Sequence, residues 1–365
     1  MRAIAVFPKS RQVRLIDHPE PKIATPTQTK IRMLDVGICG TDKEIVSFQY
    51  GTPPDGSDYL VIGHESLGEV VEVGSGVSKV RTGDLVVTTV RRPCAHPDCV
   101  ACRSGRQDFC YTGDFTERGI KQQHGYMTEL VVEEELYLNP VPANLRKVGV
   151  LVEPLTIAEK GLAQLMEIQQ RLPWWMKSGP APKVVVLGAG PVGLLGAMAF
   201  VVAGFDVTVY SRTQSHEDKD DVVTAIGAKF IPAETHNVEE MAKAVGRIDV
   251  VYEAVGASGL AFDVVKQLGP NGVFIFTGVP GRKGPIEVDT DLIMRDMVLE
   301  NQLIYGTVNA PPESFAAAIR DMGTFMERWP DAVEKIITGR FPLERALEPL
   351  QGNTGGIKNV VSVSQ

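Results

Sequence analysis

The chain has 365 residues, of which 44% are hydrophobic and 22% charged, with 36 glycines and 24 prolines. This length and composition predict two folded domains and exclude a small disulfide-stapled scaffold and a disordered chain. The formal net charge of −8 argues against nucleic acid as the main partner. Because the amino-terminal residues lack the apolar stretch of a secretory signal, we expect a cytoplasmic protein.

The first 150 residues are predicted to be mostly β-structure. Alternating or β-branched apolar runs, separated by Gly and Pro, predict strands at residues 3–7, 29–36, 68–73 and 84–90. Within this half, Cys39 in GICGTD and His64–Glu65 in GHE offer a thiolate, an imidazole and a carboxylate. These are the ligand types of a catalytic zinc ion that keeps one position open. A buried free cysteine and a core histidine are the alternative.

The other four cysteines lie in one short stretch, Cys94-x4-Cys99-x2-Cys102-x7-Cys110. Four thiolates at such spacing can close a tetrahedral zinc site that staples a loop and leaves no position for substrate. Their clustering favours reduced thiols over disulfides. His96 competes with Cys94 as the first ligand, and we favour Cys94. A lobe that folds without metal is the alternative.

Apolar residues at helical spacing predict a linking helix over residues 151–172. Strands then alternate with helical stretches, which predicts a parallel sheet with helices on both faces. The predicted strands are residues 184–187, 207–210, 229–231, 249–253, 272–277 and 303–306.

The uncharged run of residues 184–205 is long enough to span a bilayer as one helix. Gly188, Gly190, Pro191 and Gly193 interrupt its first half, where a spanning helix would need every backbone hydrogen bond. We therefore predict a buried strand, a turn and a helix, and no membrane association.

The same segment is the predicted dinucleotide site. Gly188, Gly190 and Gly193 have G-x-G-x-x-G spacing between a strand and a helix, with Pro191 and Val192 inside the motif. The glycines allow a tight turn, close approach of a pyrophosphate and close packing of helix on strand. A glycine-rich turn without a ligand is the alternative.

Cofactor choice is predicted at the end of the second strand of this domain, where Ser211, Arg212 and Thr213 follow VTVY. NAD-binding proteins commonly place a carboxylate there. A guanidinium can instead pair with a 2′-phosphate, so NADP is favoured over NAD. A solvated surface arginine is the alternative. Thr277, Gly278 and Val279 are assigned to the same cofactor site.

The C-terminal part is predicted to contain helices at residues 313–327 and 330–338, then a strand at 359–363 that returns to the first domain. The predicted domains are residues 1–160, a catalytic domain with zinc sites, 161–308, a nucleotide-binding domain, and 309–365, a returning segment.

GICGTD, GHESLGEVVEVGSGVSKVRTGD, the four-cysteine lobe and GAGPVG occur in this order, and the chain thereby resembles the zinc-dependent medium-chain alcohol dehydrogenases. TVRRPC, TGDFTERGI, LVEPLTIAEK and YGTVNA look most like the glucose dehydrogenases of archaea and some bacteria, which oxidise β-D-glucose to gluconolactone with NAD(P). The resemblance implies an α/β protein with a GroES-like, mostly-β catalytic domain and a doubly wound Rossmann domain.

By the same resemblance, Cys39, His64 and Glu65 bind the catalytic zinc, and Glu153 approaches it directly or through water. Thr41 lies beside the reacting oxygen and passes its proton outward. Glu117, Glu153 and Asn309 hold sugar hydroxyls, and Asn309 also belongs to the cofactor site. Relatives form homodimers or homotetramers, so a homo-oligomer is expected.

The sequence departs from the family pattern at two points. Four residues separate the first two cysteines of the lobe where the family usually has two, and Glu44 stands where many relatives have a proton-relay histidine. The rival enzyme is a polyol or secondary-alcohol dehydrogenase of the same superfamily. The rival outside enzymes is an NADPH-binding structural or sensor protein.

Overall fold

The computed structural model describes residues 1–212, 218–281, 284–352 and 354–364. The chain divides into two units. Unit 1 consists of Met1–Thr156, Asn309–Thr324 and Ile337–Gln365, and unit 2 of Ile157–Val308 and Phe325–Ile336. Phe325–Ile336 thus joins unit 2, although the sequence grouped it with the rest of the returning segment.

The first part of unit 1 is mostly β-structure, as predicted. Its strands are β1 (Arg2–Phe7), β2 (Gln12–Asp17), β3 (Gln28–Gly37), β4 (Leu60–Val61), β5 (Glu65–Val73), β6 (Leu85–Thr88), β7 (Arg91–Arg92), β8 (Thr116–Arg118), β9 (Gln122–Gln123), β10 (Leu130–Glu134) and β11 (Leu138–Val141). Two short helices, α1 (Gly40–Val46) and α2 (Val100–Arg103), lie between them, and the predicted linking helix is α3 (Val152–Ile168).

Unit 2 contains all six predicted strands, which confirms the alternation of strand and helix. Its elements are β12 (Lys183–Leu187), α4 (Pro191–Val202), β13 (Asp206–Ser211), α5 (Asp218–Ala225), β14 (Lys229–Pro232), α6 (Val238–Val245), β15 (Ile248–Glu253), α7 (Ser258–Val265), β16 (Leu268–Phe276), α8 (Thr290–Leu299) and β17 (Leu303–Gly306). The strands form one parallel sheet in the order β14-β13-β12-β15-β16-β17. This is the order of a doubly wound dinucleotide-binding fold.

The uncharged run forms β12, a turn and α4, as predicted. Val184, Val185 and Val186 are fully buried in the sheet, and most of α4 is buried against it. Within the described residues, no helix has both the length and the apolar composition that crossing a membrane requires.

The C-terminal part contains α9 (Pro312–Arg328), α10 (Pro330–Ile336), β18 (Ile337–Pro342), α11 (Leu347–Gln351) and β19 (Lys358–Ser362). The predicted return is confirmed, because β19 pairs antiparallel with β3. The prediction of helix through residue 338 is wrong. Residues 337 and 338 already belong to β18, whose backbone pairs with β19. Local helix propensity takes no account of pairing with a strand that follows later in the chain.

The largest sheet of unit 1 has the order β11-β6-β5-β3-β19-β18, with β10 also paired to β3. Gly37, at the end of β3, lies opposite Glu65 on β5 on one side and Val360 on β19 on the other. The end of β3, the start of β5 and the C-terminal strand therefore meet at one place, directly before Cys39 in the chain.

A buried carboxylate holds the C-terminal strands in unit 1. Asp35 on β3 is 1% exposed and accepts from Arg146 Nη1 at 2.6 Å and from Ser362 Oγ at 3.0 Å. Arg340 Nη1 on β18 lies 2.9 Å from the same carboxylate. A buried carboxylate is costly unless it is paired, so these contacts favour the observed position of β18 and β19 beside β3.

Candidate active site and its two metal clusters

Cys39, His64 and Glu65 converge in unit 1. Their ligand atoms all lie within 4.8 Å of one another, and Cys39 Sγ is 3.1 Å from His64 Nε2. Cys39 is the N-cap of α1 and accepts from the amide of Thr41 at 3.2 Å. His64 and Glu65 come at the start of β5. Donors from two separate segments of the chain are thus brought together.

The donor set fits a zinc ion. A tetrahedral zinc ion bound about 2.3 Å from sulfur and about 2.0 Å from nitrogen holds these two atoms about 3.5 Å apart. The observed spacing of thiolate, imidazole and carboxylate is compatible with one shared ion. Three protein ligands leave a fourth position open for a small molecule.

Asp42 orients two of the three donors, and the sequence interpretation gave it no role. Its buried carboxylate accepts from the amide of Cys39 at 2.9 Å and lies 3.6 Å from His64 Nδ1. Burial acts to raise the pKa of Asp42, but His64, the amide of Cys39 and the charge of Lys358 together hold the pKa below its usual value. A carboxylate behind a metal-binding histidine fixes its ring and turns the other nitrogen toward the metal.

Lys358 is the second partner that the sequence interpretation missed. This lysine on β19 is 2% exposed, and its ammonium pairs with Glu65 Oε2. Burial acts to lower its pKa, and the neighbouring Glu65 carboxylate raises the pKa overall. A Cβ at Gly37 would overlap the Glu65 carboxylate and come within 2.9 Å of Lys358 Cε, so the pair needs a glycine beneath it.

Glu153 lies in the first turn of α3 and is buried. Burial raises the pKa of Glu153 to about 7, and the carboxylate of Glu65 acts in the same direction while His64 opposes it. These interactions place Glu153 near the cluster, but its carboxylate is not one of the three donors that converge within 4.8 Å among the described residues.

The second cluster consists of Cys94, Cys99, Cys102 and Cys110. Their sulfur atoms lie within 4.8 Å of one another, with 3.9 Å between Cys99 Sγ and Cys110 Sγ, and all four are free thiols. Two sulfurs about 2.3 Å from a tetrahedral zinc ion lie about 3.8 Å apart, so this donor set also fits.

The unusual spacing of the lobe does not prevent the four sulfurs from meeting. His96, the alternative first ligand, instead places its ring Nε2 against Asp114 Oδ2 at the surface. The structure therefore brings Cys94, and not His96, to the other three cysteines.

Glu117 and Asn309 also come together in unit 1. Glu117 on β8 is buried, and its Oε1 accepts from Asn309 Nδ2 at 3.1 Å and from Arg91 Nε at 3.0 Å. Both of these hydrogen bonds engage Oε1 and not Oε2. Burial raises the pKa of Tyr50, and the nearby Glu117 carboxylate raises it further.

Thr41 is half-buried at the second position of α1, next to the Cys39 sulfur that its amide contacts. Glu44 lies one turn further along the same helix and is also half-buried.

The glycine motif of unit 2 has the local geometry that a pyrophosphate site needs. Gly188 has φ +98°, which only glycine adopts without strain, and a Cβ at Gly193 would overlap its carbonyl oxygen. Gly190 is the N-cap of α4 and has open space at its Cβ position. Pro191 and Val192 form the first turn, whose free amides favour anions.

The second strand of this unit ends at Ser211, one residue beyond the predicted end, and Ser211 Oγ accepts from the amide of Ala189 in the glycine motif at 3.1 Å. Arg212 follows and is exposed. Thr213 lies outside the described residues.

Thr277, Gly278 and Val279 follow β16, where Glu253 organises the backbone. This buried carboxylate accepts from the amides of Val255 at 2.8 Å, Gly256 at 2.7 Å and Gly278 at 3.2 Å. Thr277 Oγ1 donates to the Glu253 carbonyl at 2.7 Å, and Val279 is exposed. The sequence interpretation missed Glu253, because a glutamate ending a buried strand shows no partner in the sequence.

Two family profiles match almost the whole chain. The profile described as "Alcohol dehydrogenase GroES-like domain" matches residues 25–143, and that described as "Glucose dehydrogenase C-terminus" matches residues 146–363. The glucose 1-dehydrogenases of Methanocella arvoryzae and Thermoproteus tenax are each 38% identical to the chain, covering 100% of it and 99% of the relative.

Solved structures agree with these matches. The glucose dehydrogenase of Haloferax mediterranei in complex with NADP, Zn and gluconolactone has a TM-score of 0.89 and 31% identity, with all of both chains covered. The galactitol-1-phosphate dehydrogenase of Escherichia coli has a TM-score of 0.80 at 18% identity over all of both chains and so shows only the shared fold. The predicted combination of a GroES-like and a Rossmann domain is confirmed.

Proposed function

The chain belongs to the glucose dehydrogenase family of the zinc-dependent medium-chain alcohol dehydrogenases, and from this premise we propose how its own residues carry out the reaction. It is an oxidoreductase that oxidises the C1 hydroxyl of β-D-glucose to the lactone and transfers the hydride to NADP+. The observation that carries the residue assignment is the convergence of Cys39, His64 and Glu65 within 4.8 Å.

Cys39, His64 and Glu65 would hold the catalytic zinc ion, with Asp42 and Lys358 keeping the imidazole and the carboxylate in place. Bound there, zinc supplies Lewis acidity, which lowers the pKa of a hydroxyl toward neutrality. Glu153 would approach the same site directly or through water. Cys94, Cys99, Cys102 and Cys110 would hold a second, structural zinc ion.

The sugar would be held by carboxylates and amides. Glu117 Oε2 would accept a hydrogen bond from a sugar hydroxyl while Oε1 is already bound by Arg91 and Asn309, and Asn309 and Glu153 would contribute further contacts. A polar site of this kind favours a polyhydroxylated substrate, since an alcohol without those hydroxyls would leave buried polar groups unpaired. Thr41 would bind the reacting hydroxyl beside Cys39 and pass its proton outward.

NADP+ supplies the hydride acceptor. Its pyrophosphate would bind at Gly188, Gly190, Pro191, Val192 and Gly193. Ser211, Arg212 and Thr213 would contact the ribose 2′-phosphate. A guanidinium binds this phosphate more strongly than it binds the 2′-hydroxyl that NAD+ carries at the same place. Thr277, Gly278, Val279 and Asn309 would complete the site, and NAD+ would serve as a weaker acceptor.

We also propose a cytoplasmic homo-oligomer. All five cysteines are free thiols, which supports a reducing compartment. Helix α8 has no buried residue, and Met294, Val298 and Leu299 are 65%, 75% and 63% exposed. A second copy covering this apolar face would explain it, and sedimentation velocity of the purified protein tests for the dimer or tetramer.

The function is tested by following NADPH absorbance with glucose, galactose, xylose, sorbitol and threonine, with and without a chelator. We expect the highest kcat/KM with glucose, a preference for NADP+ over NAD+, and loss of activity on prolonged chelation. A preference for sorbitol would favour the polyol dehydrogenase alternative. Failure to oxidise any of these substrates, with zinc and either coenzyme supplied, would favour the non-enzymatic alternative.

A further inference from the structure

Arg91 is a buried cation for which the proposed reaction has no direct use. It lies on β7 directly opposite Glu117 on β8 in an antiparallel pair, and it is 8% exposed while Glu117 is 5% exposed. Opposite residues in such a pair share one face of the sheet. Arg91 therefore forms its ion pair with Glu117 and is largely shielded from solvent.

Three contacts hold the Arg91 guanidinium in one orientation. Its Nε donates to Glu117 Oε1 at 3.0 Å, its Nη1 donates to the carbonyl of Asp108 at 3.2 Å, and its Cζ lies 3.6 Å from the centre of the Phe115 ring. Gln107 Nε2 donates to the Arg91 carbonyl at 3.4 Å. A planar guanidinium held in this way fixes the position of the carboxylate oxygen that its Nε binds.

The same contacts connect the carboxylate to the four-cysteine lobe. Gln107 and Asp108 belong to the short 3-10 turn Gln107–Phe109, which directly precedes Cys110. Because Cys110 lies with the other three cysteines, its place in that cluster restrains the turn that precedes it. Arg91 thus connects the lobe to Glu117 through a continuous series of contacts within unit 1.

We propose that Arg91 is a positioning residue for sugar binding, which fixes Glu117 so that only Oε2 faces the substrate and which couples this geometry to the fold of the four-cysteine lobe. The inference rests on the proposed function, in which Glu117 binds the sugar. Without Arg91, Asn309 alone would hold Oε1, and the carboxylate would lose its fixed orientation and its neighbouring positive charge.

Arg92 provides a matched control, because it is adjacent, equally buried and also paired. Successive strand residues point to opposite faces, and Arg92 pairs with Glu133 together with Arg118, whose Nε is 2.9 Å from Glu133 Oε2. A substitution of Arg92 therefore disturbs a buried ion pair of the same unit without touching Glu117.

The experiment compares steady-state kinetics of the zinc-loaded wild type with Arg91→Met, Arg91→Lys and Arg92→Lys. Loss of a charge-assisted hydrogen bond predicts that R91M raises KM for glucose about 10- to 100-fold, with kcat within about threefold because the zinc donors are unchanged. R91K should fall between wild type and R91M, since an ammonium restores the charge but not the fork. R92K should leave KM within about twofold while lowering Tm.

A double-mutant comparison separates positioning from a general effect. If Arg91 acts through Glu117, adding R91M to Glu117→Gln should raise KM by less than about threefold over E117Q alone. The inference is overturned if R91M, or R91K should R91M not fold, leaves KM within twofold of wild type, or if R92K raises KM as much as R91M. Absence of glucose oxidation by the wild type would instead overturn the proposed function.

Discussion

The two thiol-containing clusters of unit 1 are built in opposite ways. Cys94, Cys99, Cys102 and Cys110 come from one short stretch, so the lobe can assemble from local turns. Cys39, His64 and Glu65 come from a helix cap and a strand start, and Lys358 from the end of the chain supports them. The local cluster offers four identical donors, and the long-range cluster offers three different ones.

In the proposed function, this difference separates a structural metal site from a catalytic one. Four thiolates complete a tetrahedral shell and exclude substrate, whereas three mixed donors leave one position open. The cluster of Cys39, His64 and Glu65 also has three charged neighbours, Asp42, Lys358 and Glu153. Asp42 lies on the helix that Cys39 caps, whereas Lys358 and Glu153 come from distant parts of the chain.

The largest expected effect separates the two clusters by function. We expect Cys39→Ser to lower kcat at least about 1000-fold, because zinc Lewis acidity contributes several kcal/mol to the chemical step. Zinc content should fall from about two to about one per chain, and NADP+ affinity should be unchanged because its glycine motif belongs to unit 2. Turnover assays, metal analysis and NADP+ titration measure these effects. A variant with normal turnover would remove the cluster from the mechanism.

The lobe is tested by comparing Cys94→Ser with His96→Ala. We expect C94S to lose the lobe zinc and about 5–10 °C of Tm, because metal binding contributes folding free energy. H96A should keep its zinc, since the His96 ring contacts Asp114 and not the cysteines. Metal content and thermal unfolding of both variants are the measurements. Zinc loss in H96A with retention in C94S would reverse the ligand assignment.

A smaller effect tests whether the long-range cluster depends on its surroundings. In Gly37→Ala the new Cβ would overlap the Glu65 carboxylate and crowd Lys358, so we expect zinc affinity and kcat to fall about tenfold. Gly40→Ala is the control, because nothing lies within 4 Å of its Cβ position. Competition with a chromophoric chelator measures the affinity. Equal zinc affinity and kcat in the two variants would show that the Glu65–Lys358 pair can move without affecting the site.

The smallest effect comes from His124, which belongs to neither of the two thiol-containing clusters. Burial, followed by the charges of His18 and Arg118, lowers the pKa of His124 from 6.5 to about 4. Between these pH values the unfolded chain binds a proton that the folded chain does not, so stability falls as pH decreases. This solvent-screened contribution is on the order of 1 kcal/mol.

Chelator-treated wild type and His124→Gln separate this effect from acid release of zinc. Glutamine can replace the ring Nδ1 that accepts from the amide of Val61 at 3.1 Å. Urea unfolding at pH 7 and pH 5 should therefore show a smaller loss of stability in H124Q. The same loss in both proteins would assign the acid sensitivity to other groups.

Much of the fold followed from the sequence because its signals are local. The six strands of unit 2 and the glycine motif combine apolar runs with turn residues a few positions apart, and the structure contains them all. Strand β18 was missed, because its partner β19 lies beyond an intervening helix. For the site, residue types and family resemblance selected Cys39, His64, Glu65 and Glu117 but not the groups that hold them.

The sequence by itself determined the order of elements, the glycine turn and the thiol lobe, since each depends on residues close together in the chain. The tertiary structure alone brought Asp42 beside His64, Lys358 against Glu65 and Arg91 against Glu117. These groups are buried, and a buried ionisable group is stable only where the fold supplies a partner. Helix α1 supplies the partner of His64, and strand register supplies the partners of Glu65 and Glu117. Register between distant strands is set by the whole sheet and leaves no local pattern.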